Sequence, residues 1–367
     1  MSDRLLVATR KGLFVLQRTS TGEWKPAQTH FLGEPVTMVL PDGRDGALYA
    51  ALNLGHFGVK LRRRRAGRPE WKECAVPTYP PQPEAPPGQA PGAPWTLVQV
   101  WSLEASGADQ PGVLWVGTIP GGLFRSADGG DSWELNRPLW DRPERAEWFG
   151  GGYDHPGIHS ICVDPRDSRR ITLAVSCGGV WQTRDGAQTW TCRTQGMHAD
   201  YMPPQRRDDP NIQDPHRMVH CAARPDVLWA QHHCGVYRST DGGANWREVP
   251  NARPSKFGFA VAVHPYDPDV AWFVPAVKDQ CRVPVDAQLV VSRTRDGGES
   301  FEVLRAGLPP APAYDLVYRH GLAVDASGER LAMGSTTGGL WLSENGGDRW
   351  QCLSVHLPPI YCVRFAE

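Results

Sequence analysis

The sequence predicts an all-β fold, a seven-bladed β-propeller formed by residues 1–367 as a single domain, on three observations. An acidic glycine turn recurs as SADGGDSW (126–133), TRDGAQTW (183–190), STDGGANW (239–246), TRDGGESF (294–301) and SENGGDRW (343–350). Each copy follows a short strand of one type: GLFR, GVWQ, GVYR, LVVSR or GLWL. With two eroded copies ending at Trp24 and Trp71, the closing aromatics lie 47 to 62 residues apart, a period that fits one four-stranded blade per repeat.

The elements follow in chain order. LLVAT, GLFVLQ and EWKPA (within residues 4–28) read as strands B, C and D of a blade that lacks strand A, the strand nearest the central channel. The run Arg62–Arg65 falls in the eroded turn of blade two and reads as a solvated turn. An insertion over 75–98 carries eight prolines between Pro77 and Pro94 and reads as an extended lid between blades. HSICVDP, ITLAVSC, GVWQTR and TWTCRT alternate with period two as strands A to D of blade four; VHCAARP, VLWAQ, GVYRS and NWREV repeat the pattern in blade five. The closing IYCVRFA (360–366) is a strand A without successors. Paired beside Leu5–Thr9, it completes the ring and removes two exposed strand edges. In each turn the hydroxyl and carboxylate accept or bridge local hydrogen bonds, glycine supplies the backbone angles, and the aromatic packs between sheets.

Composition narrows the function. At a net charge of -1 the chain is not expected to bind nucleic acid or a membrane surface. It has no run of about 18 apolar residues and no secretory leader is read at its start, so the nine cysteines are expected to be reduced thiols of a cytoplasmic protein.

The recurrent turn resembles the Asp-box, or BNR, repeat, well in five blades and poorly in two. Proteins with this repeat include sialidases, xyloglucan-type glycosidases, sortilin-like receptors and a photosystem assembly factor. The resemblance implies the propeller and says little of function. It does not extend to a typical sialidase: the Arg-Ile-Pro segment is absent, seven blades are expected rather than six, and no nucleophilic Tyr–Glu pair stands out.

A propeller's C–D and A–B turns share one face, and its B–C turns and D–A connections share the other. The long connections 75–98, 137–156, 194–216 and 306–317, and the blade-six loop VKDQCRVPVDAQ, all fall on the second face. Of twelve histidines only His264 maps to an A–B turn. HPGIH (His155, His159) and HRMVH (His216, His220) occupy successive blades, with Asp315, Arg319 and His320 in a comparable place in blade seven. Residues four apart on a strand point the same way, so His155, His159, His216, His220 and His320 are the expected ligands of one divalent transition metal, Zn, Cu, Fe or Ni. Asp154, His232, His233, Asp315 and Arg319 are the candidate catalytic groups. Tyr153, Tyr201, Arg217, Arg282 and Tyr318 are candidates for holding substrate, with WFGGGY (148–153) as an aromatic platform.

Three functions fit these residues. The first is an enzyme, metal-dependent, with a His/Asp/Arg-rich pocket at the loop-rich mouth of the channel, acting by hydrolysis or elimination on a small polar or carbohydrate-like ligand. The second is a metal-free glycoside hydrolase with two flanking carboxyl groups drawn from Asp154, Asp200, Asp214, Asp279 and Asp315. The third is a non-enzymatic binding or assembly scaffold that docks through the proline-rich loop.

Overall fold

The computed structural model describes residues 1–83 and 95–366 and contains seven four-stranded antiparallel sheets. Blade one unites Ile360–Ala366 with Arg4–Thr9, Gly12–Arg18 and Trp24–His30. The inner strands of blades two to seven are Val36–Asp42, Gln99–Ala105, Gly157–Val163, Pro215–His220, Gly258–Val263 and Leu322–Val324. Each inner strand packs beside that of the next blade, and blade seven's returns to Ile360–Ala366. The ring therefore closes through the C-terminal strand, in a register running from Arg4 opposite Ala366 to Thr9 opposite Ile360. No described helix is long and apolar enough to cross a membrane.

Burial explains the alternation read from sequence. Trp115, Trp181, Trp229 and Trp272, on middle strands of four successive blades, are at most 2% exposed and fill the space between sheets. Burying each stabilises the ring by roughly 4–6 kcal/mol, at about 25 cal/mol per Å² over the ~150–250 Å² of an aromatic side chain.

The acidic turns hold themselves together and also join blades. In blade three the Ser126 hydroxyl donates to Asp128 at 2.7 Å and accepts from the Gly130 N–H at 2.8 Å, while Asp128 accepts from the Ser132 N–H at 2.9 Å. The same network recurs around Asp185, Asp241, Asp296 and Asn345. Ala187 adopts φ 71 where the other four turns place glycine. Each of four turns then presents a glycine carbonyl to the preceding blade: Arg63 donates to Gly129 (2.7 Å), Gln182 to Gly242 (2.6 Å), Arg238 to Gly297 (3.4 Å) and Arg293 to Gly346 (2.7 Å). The closing indoles of Trp133, Trp190 and Trp246 donate to Ala75, Asn136 and Arg193 of the preceding blade or its outgoing connection.

Two expectations change. Arg62–Arg64 lie in strand Val59–Arg64, not in a turn. Arg63 is buried and clips blade two to blade three, while Arg62 pairs with Glu73 at 2.6 Å. Trp148 is no open platform; it is buried edge-on against Trp181. The lid expected of the proline-rich insertion falls on 84–94, outside the described residues. Its described flank anchors on blade three, where the buried Tyr79 hydroxyl meets Thr118 and the Pro120 carbonyl and Trp95 packs on Trp140.

The turn network has a pH signature. Hydrogen bonding, chiefly from Ser132, holds the Asp128 carboxyl at about 2, and bonding from Ser300 holds Asp296 at about 2. An unfolded aspartate titrates near about 3.9. The folded values are depressed, so these carboxylates contribute fully above about pH 4 and their contribution is lost as pH falls through about 2. Asp128→Asn is expected to change the urea midpoint little at pH 7, because Asn345 makes the equivalent bonds in blade seven, and to reduce the loss of stability between pH 5 and pH 2.5. An equal acid-induced loss in variant and parent counts against this assignment.

Candidate functional site

The inner strands carry an irregularity that period-two reading does not show. In blades two to six the A–B register slips near the loop-rich end, leaving Thr37, Trp101, His159, His216 and Phe259–Ala260 outside the regular pairing. A β-bulge re-aims its side chain. Here successive bulges place Trp101 against His159 (5.4 Å between rings) and stack His216 on Phe259 (4.4 Å, 12°) around the channel.

Three chelating groups converge at one point of this ring: Asp214, His216 and His233. All belong to blade five or its approach. Asp214 ends the connection from blade four, His216 lies at the bulge, and His233 is in the B–C turn. The connection is held by Gln213, whose Nε2 donates to the carbonyls of Arg207 and Asp209 at 2.9 Å each. Asp214 is 3% exposed. Its Oδ1 accepts from the Ser176 hydroxyl (3.2 Å) and the Cys177 N–H (3.1 Å). Cys177 adopts φ 48 in the blade-four turn, a left-handed conformation uncommon outside glycine, which aims that N–H at the carboxylate.

The other carboxylate oxygen, Oδ2, lies 3.4 Å from His216 Nε2 and 3.5 Å from His233 Nδ1. His216 Nδ1 lies 2.7 Å from the Gly258 carbonyl. A carbonyl only accepts, so Nδ1 carries the hydrogen. Burial lowers the pKa of His216 despite the opposing charge of Asp214, which favours the neutral ring. Burial pushes the Asp214 carboxyl upward, but His216, His233 and Arg319 outweigh it and hold the group well below the usual carboxylate range; the His216 part of that effect needs a proton, or a cation in its place, at Nε2. With that proton gone, two acceptors face each other at 3.4 Å, and a cation between them replaces it. That separation is the edge of a tetrahedron whose corners lie about 2.1 Å from a central cation, the usual Zn–N and Zn–O distance. A ligand histidine whose second nitrogen donates to a backbone carbonyl is the outer-shell arrangement of metal sites.

The triad borders a cavity of about 200 Å³ whose wall includes Tyr201, Cys177, Asp279, Arg282 and Arg319. The Tyr201 ring packs edge-on against His233 at 4.9 Å, and its hydroxyl donates to the Ile212 carbonyl. Arg282 is paired with Asp279 at 2.5 Å. Next to it lies a chamber of about 760 Å³ that shares Gly152, Phe259, Arg282 and Arg319 and adds Trp101, Tyr153, Tyr318 and Tyr361. The Arg319 guanidinium sits 4.5 Å over Trp101, at the junction of the two spaces.

Of the residues expected from sequence, His216, His233, Tyr201, Arg282 and Arg319 come together, with Tyr153, Tyr318 and His320 on the adjoining chamber. The five-histidine metal set does not assemble. His220 opens to a separate cavity at the opposite mouth. Residues four apart share a face but differ in depth by about 13 Å, at ~3.3 Å per residue. His159 is buried against Ser160 and Trp101, and His320 lies where the two mouths meet. Asp154 and His155 line neither space of the site. Arg217 turns to the opposite mouth and donates to the His159 carbonyl at 3.2 Å. Asp315 accepts from Ser335 at 2.7 Å and from Thr337, tying a loop to blade seven's B–C turn. His232 is fully buried, with Nε2 3.0 Å from the Asp214 N–H and Nδ1 3.1 Å from the Cys234 N–H. Burial pushes its pKa down to about 3. A neutral imidazole accepts at one nitrogen only, so His232 takes a hydrogen bond from one of these two amides and packs against the other, between the segments that carry Asp214 and His233. Asp214, which sequence reasoning offered only as a glycosidase carboxyl, is the group that joins the histidines; the signal available was its place two residues before His216.

No known protein-family profile matches the chain. A stretch of 155 residues is 26% identical to the xyloglucanase Xgh74A of Acetivibrio thermocellus, covering 35% of this chain and 16% of that protein, so the chain spans a small part of its curated relative. Among solved structures, an ancestral GH74 enzyme superposes with a TM-score of 0.58 at 18% identity, over 86% of this chain and 38% of that one. YCF48 bound to a D1 peptide gives 0.52 at 14%, over 88% and 83%. A Bacteroides fragilis protein described as a putative 6-phosphogluconolactonase gives 0.57 at 11%, over 99% and 98%. These likenesses establish the propeller fold.

The neighbouring histidines are expected to behave differently. His232→Ala strands a buried amide and should cost about 1–3 kcal/mol, whereas His233→Ala should stay within about 1 kcal/mol of the parent. Urea denaturation of both variants measures this, and equal losses would refute the division of roles.

Proposed function

We propose that the chain is a metal-dependent enzyme acting on a small polar molecule at the loop-rich mouth of the channel. The observation that carries this reading is the opposed pair of acceptors, His216 Nε2 and Asp214 Oδ2, with His233 Nδ1 beside them. Two imidazoles and a carboxylate suit Zn, Fe, Ni or Cu, and three protein ligands leave a coordination position for substrate or water. A bound divalent ion supplies Lewis-acid polarisation of a substrate oxygen or a water of lowered pKa, which suits hydrolysis or elimination. The chain's own residues do the rest. Asp214 is oriented by its bonds to Ser176 and Cys177, His216 holds its Nδ1 hydrogen on the Gly258 carbonyl, and Arg282 and Arg319 attract a negatively polarised group. Trp101, Tyr153 and Tyr318 offer flat apolar surfaces to a ring. The acidic turns are read as Asp-box repeats serving as scaffold. Nine free thiols agree with a reducing, cytoplasmic setting.

A metal-free glycosidase is the second reading, favoured by the likeness to xyloglucanases. Asp214 and Asp279 are the two candidate carboxyl groups that share one cavity.

Elemental analysis of the purified, untagged chain is expected to find about one transition-metal ion per molecule, reduced at least tenfold in Asp214→Ala and His216→Ala. Turnover of a panel of polar esters, lactones and glycosides should disappear on chelation and return with metal. A metal-free protein that cleaves a glycan and loses activity in Asp214→Asn and Asp279→Asn would replace this reading with the second.

A further inference from the structure

Below the chamber a second space begins, and the level between the two is termed the waist. His320 lines the spaces on both sides of it, Arg319 lines the upper, and Arg217 lines the lower, a cavity of about 740 Å³. Trp101 lies against both the His159 ring (5.4 Å) and the Arg319 guanidinium (4.5 Å), and Arg217 donates to the His159 carbonyl at 3.2 Å, which sets His159 beside both guanidiniums.

The hydrogen bonding here is incomplete in one direction. The Ser160 hydroxyl oxygen accepts from the Met218 N–H at 3.1 Å and from Arg217 at 3.3 Å. Its own hydrogen is left for His159 Nδ1, at 2.9 Å. A neutral His159 therefore carries its proton on Nε2, which is fully buried and reaches no acceptor; the Pro215 carbonyl is nearby but outside hydrogen-bonding geometry. His320 is 5% exposed with neither ring nitrogen bonded, and Arg319 is 7% exposed with Nε unbonded. Arg319 lies over the aromatic faces of Trp101 and Phe259 and feels the charge of Asp214, but forms no ion pair among the described residues.

Buried donors of this kind are costly without a partner, and buried charge costs more. The nearby carboxylates are engaged. Glu104 is paired with Arg364, and Asp214 is turned to Ser176, Cys177 and the imidazoles. Water in the waist would satisfy the N–H groups but leave Arg319 and Arg217 with only the more distant charges of Asp214 and Glu104, neither of them ion-paired to these guanidiniums.

We propose that the waist binds a small monovalent anion, held by His159 Nε2–H and His320 between the guanidiniums of Arg319 and Arg217. The anion offsets the buried positive charge and closes the channel floor beneath the chamber. The site shares Arg319 with the wall of the Asp214 cavity, but its two imidazoles, His159 and His320, are outside the Asp214, His216 and His233 set.

The test uses the full chain after chelation, so that it is independent of metal binding. Crystals grown without halide and soaked in sodium bromide are expected to show an anomalous peak within hydrogen-bonding reach of His159 Nε2 and His320. In solution, gluconate is replaced by bromide, or by formate, at constant ionic strength. The melting temperature of the parent should rise, and the rise should vanish in Arg319→Met and His159→Phe. A response to bromide identifies an inorganic ion, and a response to formate alone identifies the carboxylate of a larger ligand; either supports an anion site. An adventitious ion only, with peaks confined to the outer surface, overturns the proposal, as does a flat melting series in the parent. Both parent measurements decide the matter if a variant does not fold.

Discussion

Seven sheets form a ring only if each is fixed to the next at a set angle, and here the acidic turn does that fixing. Its side chains close a small internal network, which leaves the glycine carbonyl free to face the neighbouring blade. Arg63, Gln182, Arg238 and Arg293 each reach across to such a carbonyl. The Trp133, Trp190 and Trp246 indoles bond backward in the same way. A local turn thereby becomes a long-range contact. Blade one has no acidic turn of that type, and Trp24 there reaches Glu344 in blade seven, next to the C-terminal strand that closes the ring.

Once that face is committed to assembly, the other is released for chemistry. The transition between them is made by the bulges. A regular strand A would send alternate residues into the channel at fixed heights. The slips at Trp101, His159, His216 and Phe259 instead bring several large side chains to one level. His216 reaches Asp214 and His233 from there, while blade four contributes Ser176 and Cys177 from behind. The triad is thus local to blade five, but its support is not.

The blade count, the closing strand and the two-faced division were legible because each depends on short-range chemistry repeated many times. A Ser-x-Asp-Gly-Gly turn specifies its own hydrogen bonds wherever it occurs. The site was legible only in part. His216, His233, Tyr201, Arg282 and Arg319 line one cavity, and their common side of the ring follows from blade topology. Their partners were not legible, because depth along the channel and bulge position leave no periodic trace. His220 lies at the opposite mouth for the first reason, and Asp214 was undervalued because the course of the 194–216 connection is set by Gln213 reaching back to the Arg207 and Asp209 carbonyls, contacts that leave no periodic pattern.

His320 belongs to the walls of both axial spaces. A rotation of this one ring would therefore alter the wall of each space at once, so that a molecule held on one side of the ring and a solute on the other are separated by the thickness of a single side chain.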